Sequence, residues 1–183
     1  MKVAVLSALF TASFAAAVPF LEPRLVQKRA CGETADLVCY GKNGGTPQNI
    51  NPDDIAWAAQ YLRNIAQVNN GTAGAFWTMP PSNDCEEWQL PLAFGETVLS
   101  LAKHISPRIN SSVLFEDMAN TIDGGANPTP TSFANSLLGA CGGDGGMVGV
   151  YVNASNPAYL TPQYISSGAM PGGIVIKIVH SPQ

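Results

Sequence analysis

A subtraction constrains this chain more than any single motif does. Its first 29 residues read as an address, so the fold has to be built from the residues after them. Met1-Lys2 supplies a short positive start, and Val3 to Val18 is an unbroken run of apolar and small residues. Ala15-Ala16-Ala17 has the small-x-small form that signal peptidase cuts after, which makes residues 1–17 a signal peptide cleaved behind Ala17. The alternative, a membrane anchor, needs roughly 20 apolar residues, and this run has about 16. Residues 18–29 are a polar pro-segment with Pro19, Glu22 and Pro23. It ends in Lys28-Arg29, a dibasic pair of the kind that subtilisin-like processing proteases cut. The mature chain is expected to be residues 30–183, and to be secreted.

The remaining 154 of 183 residues are enough for one domain with a real core and too few for two. Of the nine Lys and Arg, four (Lys2, Arg24, Lys28, Arg29) lie in the leader, whereas of thirteen acidic residues only Glu22 does. That leaves 5 basic and 12 acidic residues, a net charge of −7. Such a surface repels phosphate backbones and anionic headgroups, and no stretch interleaves Lys with aromatics, so nucleic-acid partners are disfavoured. No apolar run after residue 29 is long enough to insert into a membrane. Nothing in the pattern calls for a cofactor or a metal, and nothing indicates an oligomeric state.

Cys31, Cys39, Cys85 and Cys141 all fall in the mature part. An even count in an oxidising compartment reads as two disulfides, with three pairings open. Asn70-Gly71-Thr72, Asn110-Ser111-Ser112 and Asn153-Ala154-Ser155 are glycosylation sequons beside turn-like residues.

The clearest element is a helix over 52–67. Asn51 can cap it, Pro52 suits the first helical position, and Asp53-Asp54 place negative charge in the first turn. Ile55, Ala58, Ala59, Leu62, Ile65 and Ala66 then form one buried stripe. Strands are expected at 37–40, 75–79 and 88–90, and at 97–105, where a helical face competes. Asn110 is expected to open a second helix over 111–122, with Val113, Leu114, Met118 and Ile122 inward and Gly124-Gly125 ending it. A Pro-rich loop over 127–131 leads to a short helix at 132–138, then the Gly142–Gly146 run, a strand at 147–152 and a β-branched strand at 174–179. The sum is an α+β domain. Two or three helices pack on one face of a mainly antiparallel sheet, and two disulfides stabilise it.

Recognised catalytic signatures (G-x-S-x-G, H-E-x-x-H, the phosphate-binding loop) are absent. His104 and His180 are read as edge or surface residues. The Gly142–Gly146 run has no Lys or Arg nearby and is read as a turn rather than an anion cradle. Asp84, Glu86 and Glu87 cluster beside Trp88, with Trp77 shortly before. An aromatic platform beside two acids is what sugar binding or glycoside hydrolysis uses. Neighbouring Glu86 and Glu87 on a strand would point to opposite faces, which argues against their working as a catalytic pair.

The order of parts also carries a resemblance. An early cysteine segment precedes an Asp-led helix (Asp53-Asp54-Ile55 to Asn64-Ile65), an aromatic strand (Phe76-Trp77-Thr78) and a cysteine-bearing loop. A second helix, opened by Asn110, ends Ile122-Asp123-Gly124-Gly125, and a cysteine and a glycine-flanked strand (Val148-Gly149-Val150-Tyr151) follow. Over residues 31–152 this layout resembles the necrosis-inducing-factor effectors of filamentous fungi and, more distantly, the secreted killer-toxin-like α/β sandwiches. Lys28-Arg29 suits fungal dibasic processing. The 52–67 helix lacks the cysteine that necrosis-inducing-factor members often carry there, so no disulfide pairing is carried over. The resemblance implies a non-enzymatic effector or elicitor in the plant apoplast. Its partner would be a plant cell-surface receptor or apoplastic target, and its outcome virulence, cell death or immunity. The alternatives are a cell-wall carbohydrate-binding or hydrolysing protein using Trp77, Trp88, Glu86 and Glu87, and an antimicrobial killer-type toxin.

Overall fold

A computed structural model describes residues 32–42, 45–82, 86–92 and 97–182. The expected signal peptide and pro-segment, with Ala17, Lys28 and Arg29, lie outside the described residues, as do Cys31, Asp84 and Cys85.

Helix α1 (Pro52–Val68) forms where its caps and stripe predict. The Asn51 side chain accepts from Asp53 N at 3.1 Å, and Ile55, Ala58, Ala59 and Leu62 are buried. Each fully buried Ile or Leu stabilises by roughly 1.5–3 kcal/mol relative to exposure. Asp54 does more than face the helix dipole: its Oδ2 accepts from Thr97 N at 3.0 Å and from Thr97 Oγ1 at 2.5 Å. Thr97 Oγ1 in turn accepts from Asn51 N at 2.9 Å. The first turn of α1 is therefore fastened to the residue that leads into the long strand β4 (Val98–His104).

The architecture is α+β. A five-stranded antiparallel sheet runs β1 (Val38–Cys39), β6 (Gly146–Gly149), β7 (Ile174–His180), β4, β3 (Glu87–Gln89). The β-branched run of β7 takes the centre, with Ile174, Val175, Ile176 and Ile178 buried. Residues paired across β4 and β7 alternate strictly. Ser100, Ala102 and His104, opposite Ile178, Ile176 and Ile174, face the helices. Leu101 and Lys103 face the other way, where Lys103 pairs with Glu33 and Lys177 with Glu87. The core joins this sheet to α1 and α2 (Phe115–Asp123). Among the described residues there are five α-helices rather than two or three.

The expected helix over 111–122 is corrected at its start. Ser111–Leu114 is a strand, β5, pairing antiparallel with β2 (Phe76–Met79) in a separate two-stranded ribbon. All four β5 residues are buried, which a helix presenting one face could not achieve at consecutive positions. Asn110 is not the cap; α2 begins after Leu114, which has no side-chain capping bond, and Leu114 N donates to the Tyr159 hydroxyl at 2.8 Å instead. Gly124 ends α2 as expected, in the left-handed conformation at φ 88°.

The expected 132–138 helix is two short ones, α3 (Pro130–Asn135) and α4 (Leu137–Cys141), broken at Ser136. Ser136 is extended because its hydroxyl accepts from Gly139 N and donates to Phe133 O, capping one helix while closing the other. The glycine run forms a 3-10 turn, and the carbonyls of Gly143, Asp144 and Gly145 accept from Ile50, Gln48 and Tyr40 N–H groups. Its main chain is thus used as an acceptor surface for the neighbouring loop. Cys39 of β1 and Cys141 of α4 form a disulfide with Cα atoms 5.1 Å apart, linking positions 102 residues apart.

Candidate functional site

The β2–β5 ribbon has two chemically different faces because its residues alternate. Trp77 and Val113, a registered pair, turn to the main core; Phe76 with Leu114 and Thr78 with Ser112 turn the other way. That second face floors a cleft of about 590 Å³, within the range of small-molecule sites. One wall is the end of α1 and the turn after it, with Gln67 and Asn70. The other is the 3-10 segment Pro157–Leu160 and α5 (Pro162–Ser166), with Asn156, Gln163 and Tyr164.

Buried tyrosines set this second wall. Tyr159 donates to Asp117 Oδ2 at 2.7 Å while accepting from Leu114 N, and Tyr164 donates to Ser112 O at 2.8 Å. Both hydroxyls thus tie the wall to β5 and α2. Phe76 packs against the two rings, with centroids 5.6 Å from Tyr159 and 5.0 Å from Tyr164. Burial pushes the Tyr164 hydroxyl up to about 12 and the Tyr159 hydroxyl higher still, its bond to Asp117 adding to the shift. Burial also raises the Asp117 carboxyl. The hydrogen bonds from Tyr159 and Asn153 N oppose that shift, and nearby Glu116 adds to it.

Arg63, also in the lining, is 7 % exposed and carries a matched charge. One terminal guanidinium nitrogen reaches both Asp123 oxygens at 2.8 and 3.0 Å and Asn120 Oδ1 at 3.2 Å. Apart from Glu116 at the lining, the polar groups offered to an occupant are amides and hydroxyls.

The residues singled out from sequence do not gather here, Asn70 excepted. Trp77 and Trp88 meet edge to face with centroids 6.4 Å apart, both half-buried and packed on the main core. Trp77 Nε1 is enclosed without a hydrogen-bond partner. Glu87 is bound to Lys177, and Glu86 is exposed just before β3. His104 is buried, its Nε2 3.1 Å from Pro80 O, whereas His180 is exposed. Asn153 is exposed. Asn110 is half-buried, with Nδ2 donating to Ser167 O at 3.2 Å and Oδ1 enclosed.

Tyr159 and Tyr164 were missed because they lie 45 and 52 positions from Leu114 and Ser112, the β5 residues they bond, and Asp117 because its partner Tyr159 is 42 positions away. Their only sequence signal was two tyrosines in a Pro- and Thr-punctuated stretch. A surface stack of Trp57 on Tyr61, centroids 5.4 Å apart, was visible as an i, i+4 pair on α1. Among the described residues no group of three or more His, Cys, Asp or Glu could hold a metal ion, and no helix is long and apolar enough to cross a membrane. Comparison with protein-family models, curated proteins and solved structures finds no match for the chain.

Proposed function

We propose that the chain is a secreted fungal effector or elicitor that works in the plant apoplast. It is perceived there as a pattern that triggers immunity and cell death, or it contributes to virulence. The observation that carries the reading is the Cys39–Cys141 disulfide, which joins the first strand to α4. Disulfides of this kind persist in oxidising compartments, which is where the leader would deliver the chain. The resemblance of the sequence layout to necrosis-inducing-factor effectors suggests the host and the setting.

A receptor or apoplastic target is met through surface contacts. Leu160 and Ile165, each 65 % exposed, lie in the two segments that wall the cleft but outside its lining, and Met170, 55 % exposed, follows them; these residues offer apolar area for such a partner to cover. The wall-carbohydrate alternative draws less support, because Trp77 and Trp88 pack inward and Glu87 is engaged by Lys177. A killer-type toxin adhering to anionic membranes is opposed by the net charge of −7.

The test is infiltration of purified residues 30–183 into leaves, native and heat-treated, beside a Leu160→Asp, Ile165→Asp variant shown to be folded. Cell death or an immune burst is expected from the native protein and reduced in the variant. No response to native protein would sink the elicitor reading, and unchanged infection by a strain lacking the chain would sink the virulence reading.

A further inference from the structure

Asn70 belongs both to a glycosylation sequon and to the lining of the cleft. Its backbone is held in a defined turn. Asn70 N donates to Gln67 O, Gly71 takes φ 76°, and Thr72 Oγ1 donates to Asn69 O at 2.8 Å. The Asn70 side chain is exposed and lines the cleft, so the acceptor nitrogen is accessible at its rim.

The cleft below that rim is chemically suited to one class of occupant. Gln67, Asn156 and Gln163 offer amides, the Thr78–Ser112 hydroxyl pair (2.8 Å apart) crosses the floor, and Phe76 supplies a ring held by two tyrosines. The Arg63 charge is already matched by Asp123. Glu116 adds one carboxylate, which accepts sugar hydroxyls and disfavours an anionic occupant. Amides and hydroxyls around one aromatic ring fit an uncharged pyranose, with its C–H face on the ring and its hydroxyl and acetamido groups on the amides.

We propose that Asn70 carries an N-linked glycan whose first N-acetylglucosamine residues lie in this cleft against Phe76, so that the chain brings its own occupant. The glycan is installed in the secretory pathway from a polyprenyl-diphosphate-linked oligosaccharide. The Asn70 Nδ2–C1 bond forms, the C1–O bond to the diphosphate breaks, the lipid diphosphate leaves, and the Nδ2 proton passes to a base. Tethering supplies the affinity. A short link gives an effective concentration in the millimolar range, so a saccharide contact whose intrinsic Kd is about a tenth of that keeps the cleft mostly occupied. This inference is independent of the effector reading, since it concerns only what fills the cleft.

The test uses the full chain, leader included, secreted from a glycosylating host. Native and unfolded protein are treated with an endoglycosidase that cuts between the two core sugars, and glycopeptides are followed by mass spectrometry. From native protein the Asn70 glycan is expected to be released about tenfold more slowly than from unfolded protein, the protection given by a contact worth about 1.4 kcal/mol. Phe76→Leu, which keeps an apolar side chain, is expected to remove most of that protection. Independently of any variant, the N-acetyl methyl resonance of the Asn70 sugar is expected to shift upfield from its free-sugar position, under the Phe76 ring. An unmodified Asn70, equal release rates, protection unchanged in a folded Phe76→Leu protein, or an unshifted methyl would each overturn the proposal.

Discussion

The Tyr159 hydroxyl stands between the Leu114 amide, 2.8 Å away, and the Asp117 carboxylate, 2.7 Å away, giving its proton to the acid while accepting the helix-opening N–H. One buried oxygen thus serves as the cap that α2 lacks. Tyr159→Phe removes that oxygen and strands both partners. A loss of about 2–4 kcal/mol is expected, two unsatisfied buried groups at 1–3 kcal/mol each with partial relaxation. Urea unfolding of the mature protein measures it, and a change under about 0.5 kcal/mol would contradict the capping role.

Asp117 makes the same region sensitive to pH. Burial raises its folded pKa above the ordinary 3.8, so between the two values the folded state holds more protons than the unfolded one. The stability this group contributes is therefore complete below about pH 3.8 and is lost as pH rises through the raised folded value. Asp117→Asn keeps an acceptor for Tyr159 and Asn153 N but does not titrate. Relative to wild type, the Asn variant is expected to gain stability as pH rises from 3 toward 7, a trend visible in paired urea midpoints. A constant difference would show that Asp117 titrates alike in both states.

Arg63 and Asp123 join α1 to the end of α2, with side chains 8 % and 16 % exposed. Arg63→Ala leaves a largely buried carboxylate without its cation. It is expected to cost about 3 kcal/mol, more than Asp123→Asn, which keeps an acceptor for the guanidinium. Chemical denaturation of both variants orders them.

The Cys39–Cys141 bond closes the longest loop described, 102 positions. Cys39→Ala and Cys141→Ala are each expected to lose about 4–5 kcal/mol by the chain-entropy estimate. The double variant should be no less stable than either single. Limited proteolysis and unfolding of all three measure this.

Two left-handed glycines give an internal control. Gly71 (φ 76°) has open space where a Cβ would go, but a Cβ on Gly124 (φ 88°) would come within 2.8 Å of the Phe133 backbone. Gly71→Ala is expected to cost about 1 kcal/mol, the left-handed penalty alone. Gly124→Ala should cost at least about twice that, because α3 must also move. Equal losses in thermal unfolding would remove the contact from the account.

What the sequence made legible was local. α1 carried its cap, its first-turn acids and its stripe within 17 residues, and the strand character of β7 stood in its β-branched run. The 111–114 segment misled because its apolar spacing also fits a helix. Pairing with Phe76–Met79, more than thirty positions earlier, decided it, and no local periodicity encodes a partner. The candidate site was hidden for the same reason. Asn70 was visible as a sequon, but the cleft it overlooks is made by Phe76, Ser112 and Tyr164, which only the fold brings together.

The place of β7 in the sheet has a temporal consequence. The strand between β4 and β6 spans Ile174–His180 and is the last of the described elements to leave the ribosome. Until it emerges, β4 and β6 have no partner for the edges they later present to it, and the sheet cannot be assembled from the N-terminus onward. The five-stranded sheet is thus completed only after β7 has been made. Deleting Ile174–His180 would take away the one strand that unites β1–β6 with β4–β3.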